Sequence, residues 1–248
     1  MCIFANNQID IKEMTAELLI ESMQVLADKE KAIFLQRFFK TGKGQYAEGD
    51  IFWGIKVPET RQVAKVYRNL PFSEIKKVIA SPVHELRLCG LLILIEQFKK
   101  ADETEQKSIV NFYLSNTQYI NNWDLVDLSC YNILGNYLLD KPRDVLYRLA
   151  KSRNMWEQRI AIVSTWAFIR NREFADTLVI SEMLLDHPHD LIHKAVGWML
   201  RELSKRDEGL MLHFVETHYN RLSRTTLRYA IEKLPEEQRK NILQGRFE

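Results

Sequence analysis

From about residue 71 onward, apolar residues recur at helical spacing in paired segments. The second segment of each pair begins near residues 84, 121, 154, 188 and 223, at steps of 37, 33, 34 and 35. This repeat limits the fold more than any other feature of the chain. The pairs run over about 71–81 and 84–101, 103–115 and 121–139, 141–152 and 154–170, 174–186 and 188–204, and 206–219 and 223–234. A helix pair of this length buries its apolar stripe only by stacking on its neighbours. The sequence therefore predicts an all-α solenoid of stacked antiparallel helix pairs whose curvature leaves a concave face.

The period lies near that of HEAT and armadillo arrays, slightly short of the standard repeat. Only 9 Gly and 6 Pro in 248 residues argue against a turn-rich β architecture. Two further helices are expected over about 10–40, with Leu18, Leu19, Met23, Val25 and Leu26 apolar in the first and Ile33, Phe34, Phe38 and Phe39 in the second. Thr41 to Asp50 is the most Gly-rich stretch and reads as a loop. Its Gly42-Lys43-Gly44 lacks the preceding strand and the Gly-Lys-Ser/Thr ending that a nucleotide-binding loop requires. A helix is expected to start near Ile55 to Glu59, with Pro58 in its first turn. Residues 1–248 then form a single HEAT-like-repeat domain.

Cys2, Cys89 and Cys130 are odd in number and widely spaced, which suits a reducing compartment rather than a disulfide framework or a zinc site. The longest unbroken apolar run, Leu88 to Ile95, is far too short to span a bilayer, and the N-terminus lacks the pattern of a signal peptide. A cytoplasmic protein with no membrane partner is expected. The net charge of +2 diagnoses no nucleic-acid partner, so that question turns on where the charges sit.

Aligning the second helices places Arg87, Arg159, Lys194 and Arg228 in one register, where the remaining repeat carries Asp127. Cations near helix N-termini suit phosphates, because side-chain charge and unpaired backbone N–H groups act together. Solvated helix faces also carry charge without any ligand, which is the plainer reading. Trp198 falls on the same side as Lys194, Arg201 and Lys205, away from the core stripe of Ile192, Ala195, Val196, Met199 and Leu203. An aromatic in a basic stripe suits a surface that meets nucleotides; the alternative is a Trp capping the edge of the core.

Asn121-Asn122-Trp123-Asp124-Leu125-Val126-Asp127 reads as a helix start, with Asp124 in the first turn, where a cap suits it. Trp123 continues the stripe Val126, Cys130, Ile133 and Tyr137, which periodicity assigns to the core. Asp127 is offset from that stripe by about 40° and must be solvated or paired. Nearby cations would keep it ionised, able to stabilise a developing cation or orient a water. His187, His189 and His193 lack completing ligands and read as turn and cap residues, so no metal or cofactor is expected.

Three segments in order resemble the bacterial DNA alkylation-repair glycosylases built from HEAT-like repeats, the AlkD family. They are Asn122-Trp123-Asp124-Leu125-Val126-Asp127, Trp156-Glu157-Gln158-Arg159-Ile160-Ala161-Ile162 and Lys194-Ala195-Val196-Gly197-Trp198-Met199-Leu200-Arg201-Glu202. The likeness extends back through Phe52 to Glu59 and the loop from Gly42 to Tyr46. It implies removal of N3- and N7-alkylated purines from duplex DNA by hydrolysis of the glycosidic bond, leaving an abasic site. It implies Asp127 as the catalytic carboxylate, Trp123 and Trp198 as rings flanking the lesion, and Arg159 as the cation at the adjacent backbone. Arg87, Lys194, Arg201, Lys205 and Arg228 would hold phosphates on a basic concave face, with no obligate protein partner. Two other readings compete: a DNA-binding protein without turnover, and a scaffold for an acidic peptide.

Overall fold

A computed structural model describes residues 14–247 of the chain. Cys2 and the first residues of the helix expected from about residue 10 lie outside them. All regular secondary structure among the described residues is helical, apart from one isolated parallel bridge between Ile51 and Val83. The chain divides into two compact units, up to Leu125 and from Val126.

In the first unit, α1 (Ala16–Gln24) is capped by Thr15 and α2 (Lys29–Phe38) by Asp28, whose Oδ1 accepts from the Lys31 amide at 3.1 Å. Next come α3 (Val57–Val66), with Pro58 in its first turn as expected, and α4 (Phe72–Ile79). They are followed by α5 (His84–Phe98) and α6 (Glu103–Leu114), the latter closed by an Asp102–Glu105 capping box. A 3₁₀ turn, Thr117–Tyr119, leads into α7 (Trp123–Cys130), within which the division between the units falls.

Helix α5 is buried on nearly every side and packs against α3, α4 and α6. The apolar run from Leu88 to Ile95 is thus a core helix. Gly90 permits the approach of α4, because a Cβ there would lie 2.4 Å from Ile79 Cγ2. Of its buried polar residues His84, Glu85 and Arg87, Glu85 has a carboxylate that accepts from the amides of Trp53 (3.1 Å), Gly54 (2.8 Å) and Ile55 (3.2 Å). Three donors compensate its desolvation and pin the 53–55 segment to α5. Helix α2, in contrast, buries none of its residues and leaves Ile33, Phe34 and Phe38 exposed.

The second unit continues α7 into a π-helical turn, Tyr131–Gly135. It then comprises α8 (Asp144–Ala150), α9 (Met155–Ser164), α10 (Trp166–Arg170), α11 (Ala175–Met183), α12 (Asp190–Ser204), α13 (Glu208–Thr217), α14 (Arg224–Ala230) and α15 (Glu236–Leu243). Helix α12 buries Ile192, Ala195, Val196, Met199, Leu200 and Leu203 and packs on α9, α10, α11, α13 and α14. Its contact with α14 is backbone-close: a Cβ on Gly197 would meet Tyr229 Cβ at 2.5 Å and the Thr226 carbonyl oxygen at 2.7 Å.

The helix pairs from residue 71 fall where the repeat places them, with two interruptions and one addition. The 121–139 helix widens into the π turn where Gly135 lies against the Ser164 carbonyl, too close (2.4 Å) for any Cβ. The 154–170 helix breaks at Thr165, whose hydroxyl donates to the Ile162 carbonyl at 2.7 Å and competes with the helical ladder. Helix α15 is not anticipated by the repeat. It starts after Pro235 with Glu236 and Glu237 in its first turn, an ordinary helix-start pattern lacking a strong apolar stripe.

Candidate active site

Trp123 opens α7 and is half-buried, not a core residue as periodicity implies. Its ring lies on Phe39 (centroids 5.2 Å apart, 20° between planes) and meets the edge of Phe38 at 6.1 Å. Its Nε1 donates to the Tyr46 hydroxyl at 3.2 Å. A helical period says nothing about rings supplied from elsewhere in the chain, and here Phe38 and Phe39 at the end of α2, with Tyr46 of the loop after it, form a shelf for the indole.

Asp124 caps as expected, its Oδ1 accepting from the Leu125 amide at 2.9 Å, but its other oxygen does something the sequence did not suggest. Oδ2 lies 2.7 Å from Nε2 of His84, at the start of α5. On its other side His84 Nδ1 is 3.6 Å from Asp50 Oδ2, and that oxygen is 2.5 Å from a guanidinium nitrogen of Arg87. The Asn121 amide donates to Asp50 Oδ1 at 3.2 Å. A signal existed: His84 and Arg87 are three apart at the start of a helix whose middle is apolar, and two cations on one buried face require carboxylates.

Burial pushes the His84 imidazole down, but the Asp124 charge and hydrogen bond, with Asp50, override it and raise it from 6.5 to about 9. Asp50 sits below the usual carboxylate range: burial raises it, while His84 and Arg87 together lower it further. Since the folded His84 value exceeds the unfolded one, its contribution is complete below about pH 6.5 and disappears as pH rises through about 9. Stability in urea should fall by up to ~3 kcal/mol between pH 6.5 and 9.5. A His84→Gln variant should show a flatter profile, and matching profiles would remove His84 as the cause.

In the second unit, Asp127 is paired rather than openly solvated. Its Oδ1 accepts from Arg159 Nε at 2.8 Å and its Oδ2 from Nη2 at 2.7 Å, a two-pronged pair, while Nη1 donates to the Leu191 carbonyl. The Asp127 side chain keeps 16% of its surface accessible and that of Arg159 keeps 6%. The sequence reading sends Arg159 to a DNA backbone; the structure buries its guanidinium against Asp127 and Leu191 instead. Arg87 is corrected likewise: at 5% exposure it is committed to Asp50 and to the Ser81 carbonyl (3.2 Å), and does not present a charge to phosphate.

The other basic residues lie nearer the surface. Lys194 pairs with Asp190 at 2.8 Å, Lys205 with Glu202 at 2.7 Å and Arg201 with Glu232, while Arg228 is exposed. Trp198 is half-buried, off the core stripe of α12, as its register predicts. It neighbours Trp166 (6.3 Å), which packs edge-on to Tyr131 at 4.3 Å and lies under Arg170 at 5.4 Å. Tyr131 and Trp166 escaped the sequence reading, although Tyr131 follows Asp127 by four residues.

His189 caps α12 by accepting from the Leu191 amide at 3.1 Å, and His187 accepts from the His189 amide at 3.0 Å, the turn and cap roles expected of them. Burial pushes both the Cys130 and the Cys89 thiols up, Cys89 to about 12, so neither offers a thiolate nucleophile at neutral pH. No described helix is long and apolar enough to cross a membrane.

The family model described as "DNA alkylation repair enzyme" matches residues 19–234. Among solved structures the chain is similar to a "Predicted DNA alkylation repair enzyme from Enterococcus faecalis", with a TM-score of 0.65 and 16% identity over 85% of this chain and 97% of that chain. At that identity the likeness is one of fold. The comparison with curated proteins returns no match.

Proposed function

This chain belongs to the DNA alkylation repair enzyme family, and we propose that it is a DNA glycosylase that excises N3- and N7-alkylated purines from duplex DNA in the cytosol. The observation that carries the reading is the Asp127 carboxylate, oriented by the Arg159 fork yet still accessible. Alkylation at N3 or N7 makes the purine cationic, so its glycosidic bond is already weakened and needs little leaving-group protonation. Cleavage leaves an oxocarbenium-like sugar. A fixed carboxylate stabilises that charge and positions the attacking water, and fork pairing suits an ionised rather than a protonated carboxylate. One carboxylate then suffices where ordinary glycosidases use two. Indole faces favour a cation, the role that the resemblance gives to Trp123 and to Trp198.

A second reading is favoured by the same pair. A carboxylate held by two guanidinium bonds is also what a purely structural ion pair looks like, as in a protein that binds damaged DNA without turnover. Duplex DNA methylated to carry 7-methylguanine and 3-methyladenine separates the two. The glycosylase releases free bases and leaves abasic sites, whereas the binding protein shifts the DNA and releases none.

The surface cations supply affinity in either case. Replacing Arg228 by Ala should reduce the slope of log affinity against log salt by about 1, one phosphate contact. Arg87→Ala should leave that slope unchanged and lower the melting temperature instead, because it strips the buried Asp50 of its counter-ion. Titrations of duplex DNA at several salt concentrations read the first effect and thermal melts the second. A slope lowered by Arg87→Ala at unchanged stability would contradict its assignment to the core.

A further inference from the structure

We propose that His84 is a positioning residue for Trp123: from the buried start of α5 it holds the first turn of α7 through Asp124 and supports the ring stack on which the indole lies. Trp123 matters here because the glycosylase reading makes it a wall of the lesion site, and the proposal rests on that reading. Its geometry does not.

Two routes run from His84 to the first turn of α7. The first is polar: Nε2 binds Asp124 Oδ2 at 2.7 Å, while Asp124 Oδ1 accepts from the Leu125 amide in the first turn of α7. The second is aromatic. Phe52 stacks on the imidazole at 4.5 Å and 22°, Phe39 stacks on Phe52 at 4.9 Å and 15°, and Trp123 stacks on Phe39 at 5.2 Å and 20°. Phe39 also meets the imidazole directly at 5.1 Å. Phe34, Phe38, Phe39 and Phe52, together with His84, Glu85 and Asp124, line an apolar cavity of about 510 Å³.

The charge state of His84 decides whether both routes hold. The groups facing it are Asp124 of α7, Asp50 of the preceding loop, and Arg87 on its own helix; Glu85, its neighbour, is turned to the 53–55 amides. As an imidazolium it donates to Asp124, turns its second N–H toward Asp50 at ion-pair distance and places a cation on the face of Phe52. Deprotonated, it keeps one N–H and withdraws the cation that faces Asp124, while Asp50 is left to Arg87. The first turn of α7 and the stack then loosen together, and the position of the His84 titration, raised to about 9, sets where this happens.

The test follows 7-methylguanine release from duplex DNA between pH 6.5 and 10, with enzyme-free controls at each pH. It is run for wild type, His84→Gln and Asp50→Asn, alongside the fluorescence difference between each protein and its own Trp123→Phe form. In wild type both the excision rate and the Trp123 fluorescence should change with a midpoint near 9. His84→Gln should excise about 10-fold more slowly at pH 7, a fall in kcat, and lose the alkaline transition in both signals. Asp50→Asn, which removes one of the two charges holding the proton, should move that transition to lower pH.

A wild-type Trp123 signal that ignores pH, or an alkaline limb that survives His84→Gln, would overturn the proposal. Should His84→Gln fail to fold by circular dichroism, the wild-type titration and the Asp50→Asn shift still decide. If wild type releases no base at any pH, the glycosylase reading fails while the Trp123 titration continues to judge the positioning role.

Discussion

Asp127→Asn will slow release of 7-methylguanine from duplex DNA by about 10²- to 10³-fold, the loss typical when one preorganised electrostatic partner of a transition state is removed. The substitution keeps the size of the side chain and one acceptor oxygen for Arg159, but removes the negative charge that an oxocarbenium-like sugar would meet. It also leaves the guanidinium of Arg159, itself only 6% exposed, without its counter-ion, so some loss of stability will accompany the kinetic effect. Rates are therefore compared at a temperature where circular dichroism shows both proteins folded, under single-turnover conditions that report the chemical step. Asp124→Asn provides the contrast. Asp124 is tied up with His84 and the start of α7, so its loss should act through Trp123 and cost much less. Equal losses in both variants would break the division of roles between the two carboxylates.

Gly54→Ala will lower stability by about 4 kcal/mol, which for a chain of this size corresponds to roughly 10 °C in Tm. Two independent penalties coincide there. The residue has φ of 79°, in the left-handed region that a side chain disfavours. A Cβ would also fall 2.1 Å from the Asp28 carbonyl oxygen and 2.7 Å from the Ala32 amide nitrogen, both backbone atoms of the N-terminal end of α2 and neither able to swing aside. Moving the loop away would break the hydrogen bond from the Gly54 amide to buried Glu85 and the one from the Asp28 amide to the Trp53 carbonyl, at 2.8 Å each. Urea denaturation of the two proteins measures the difference. A loss under about 1 kcal/mol would mean that α2 is free to shift, and that its contact with the 53–54 turn is not a fixed part of the fold.

The helix pairs were legible in the sequence because their cause is local. An apolar stripe with a period of 3.6 needs only its own spacing to declare itself, and a repeat of such stripes can be satisfied only by stacking. The exceptions have non-local causes. The π turn at Tyr131–Gly135 occurs where a carbonyl from α9 lies against Gly135, and the shelf under Trp123 comes from Phe39, some eighty positions away in the chain. The candidate site divides in the same way. Asp127, Arg159 and Trp198 could be named from their register, but Arg159 and Arg87 looked there like surface cations, since a register says which face a residue shares and not whether that face meets solvent.

By itself the sequence determined that this chain folds as stacked helix pairs, and that a carboxylate at Asp127 stands in register with a row of cations. Which cations remain at the surface and which are consumed by carboxylates was decided only in three dimensions. So was the enclosure of His84 between Asp50 and Asp124, two acids more than seventy residues apart in the chain. The physical reason is range: helical periodicity is set by bonds spanning four residues, whereas the state of a buried charge depends on whichever partners folding brings within a few ångströms of it.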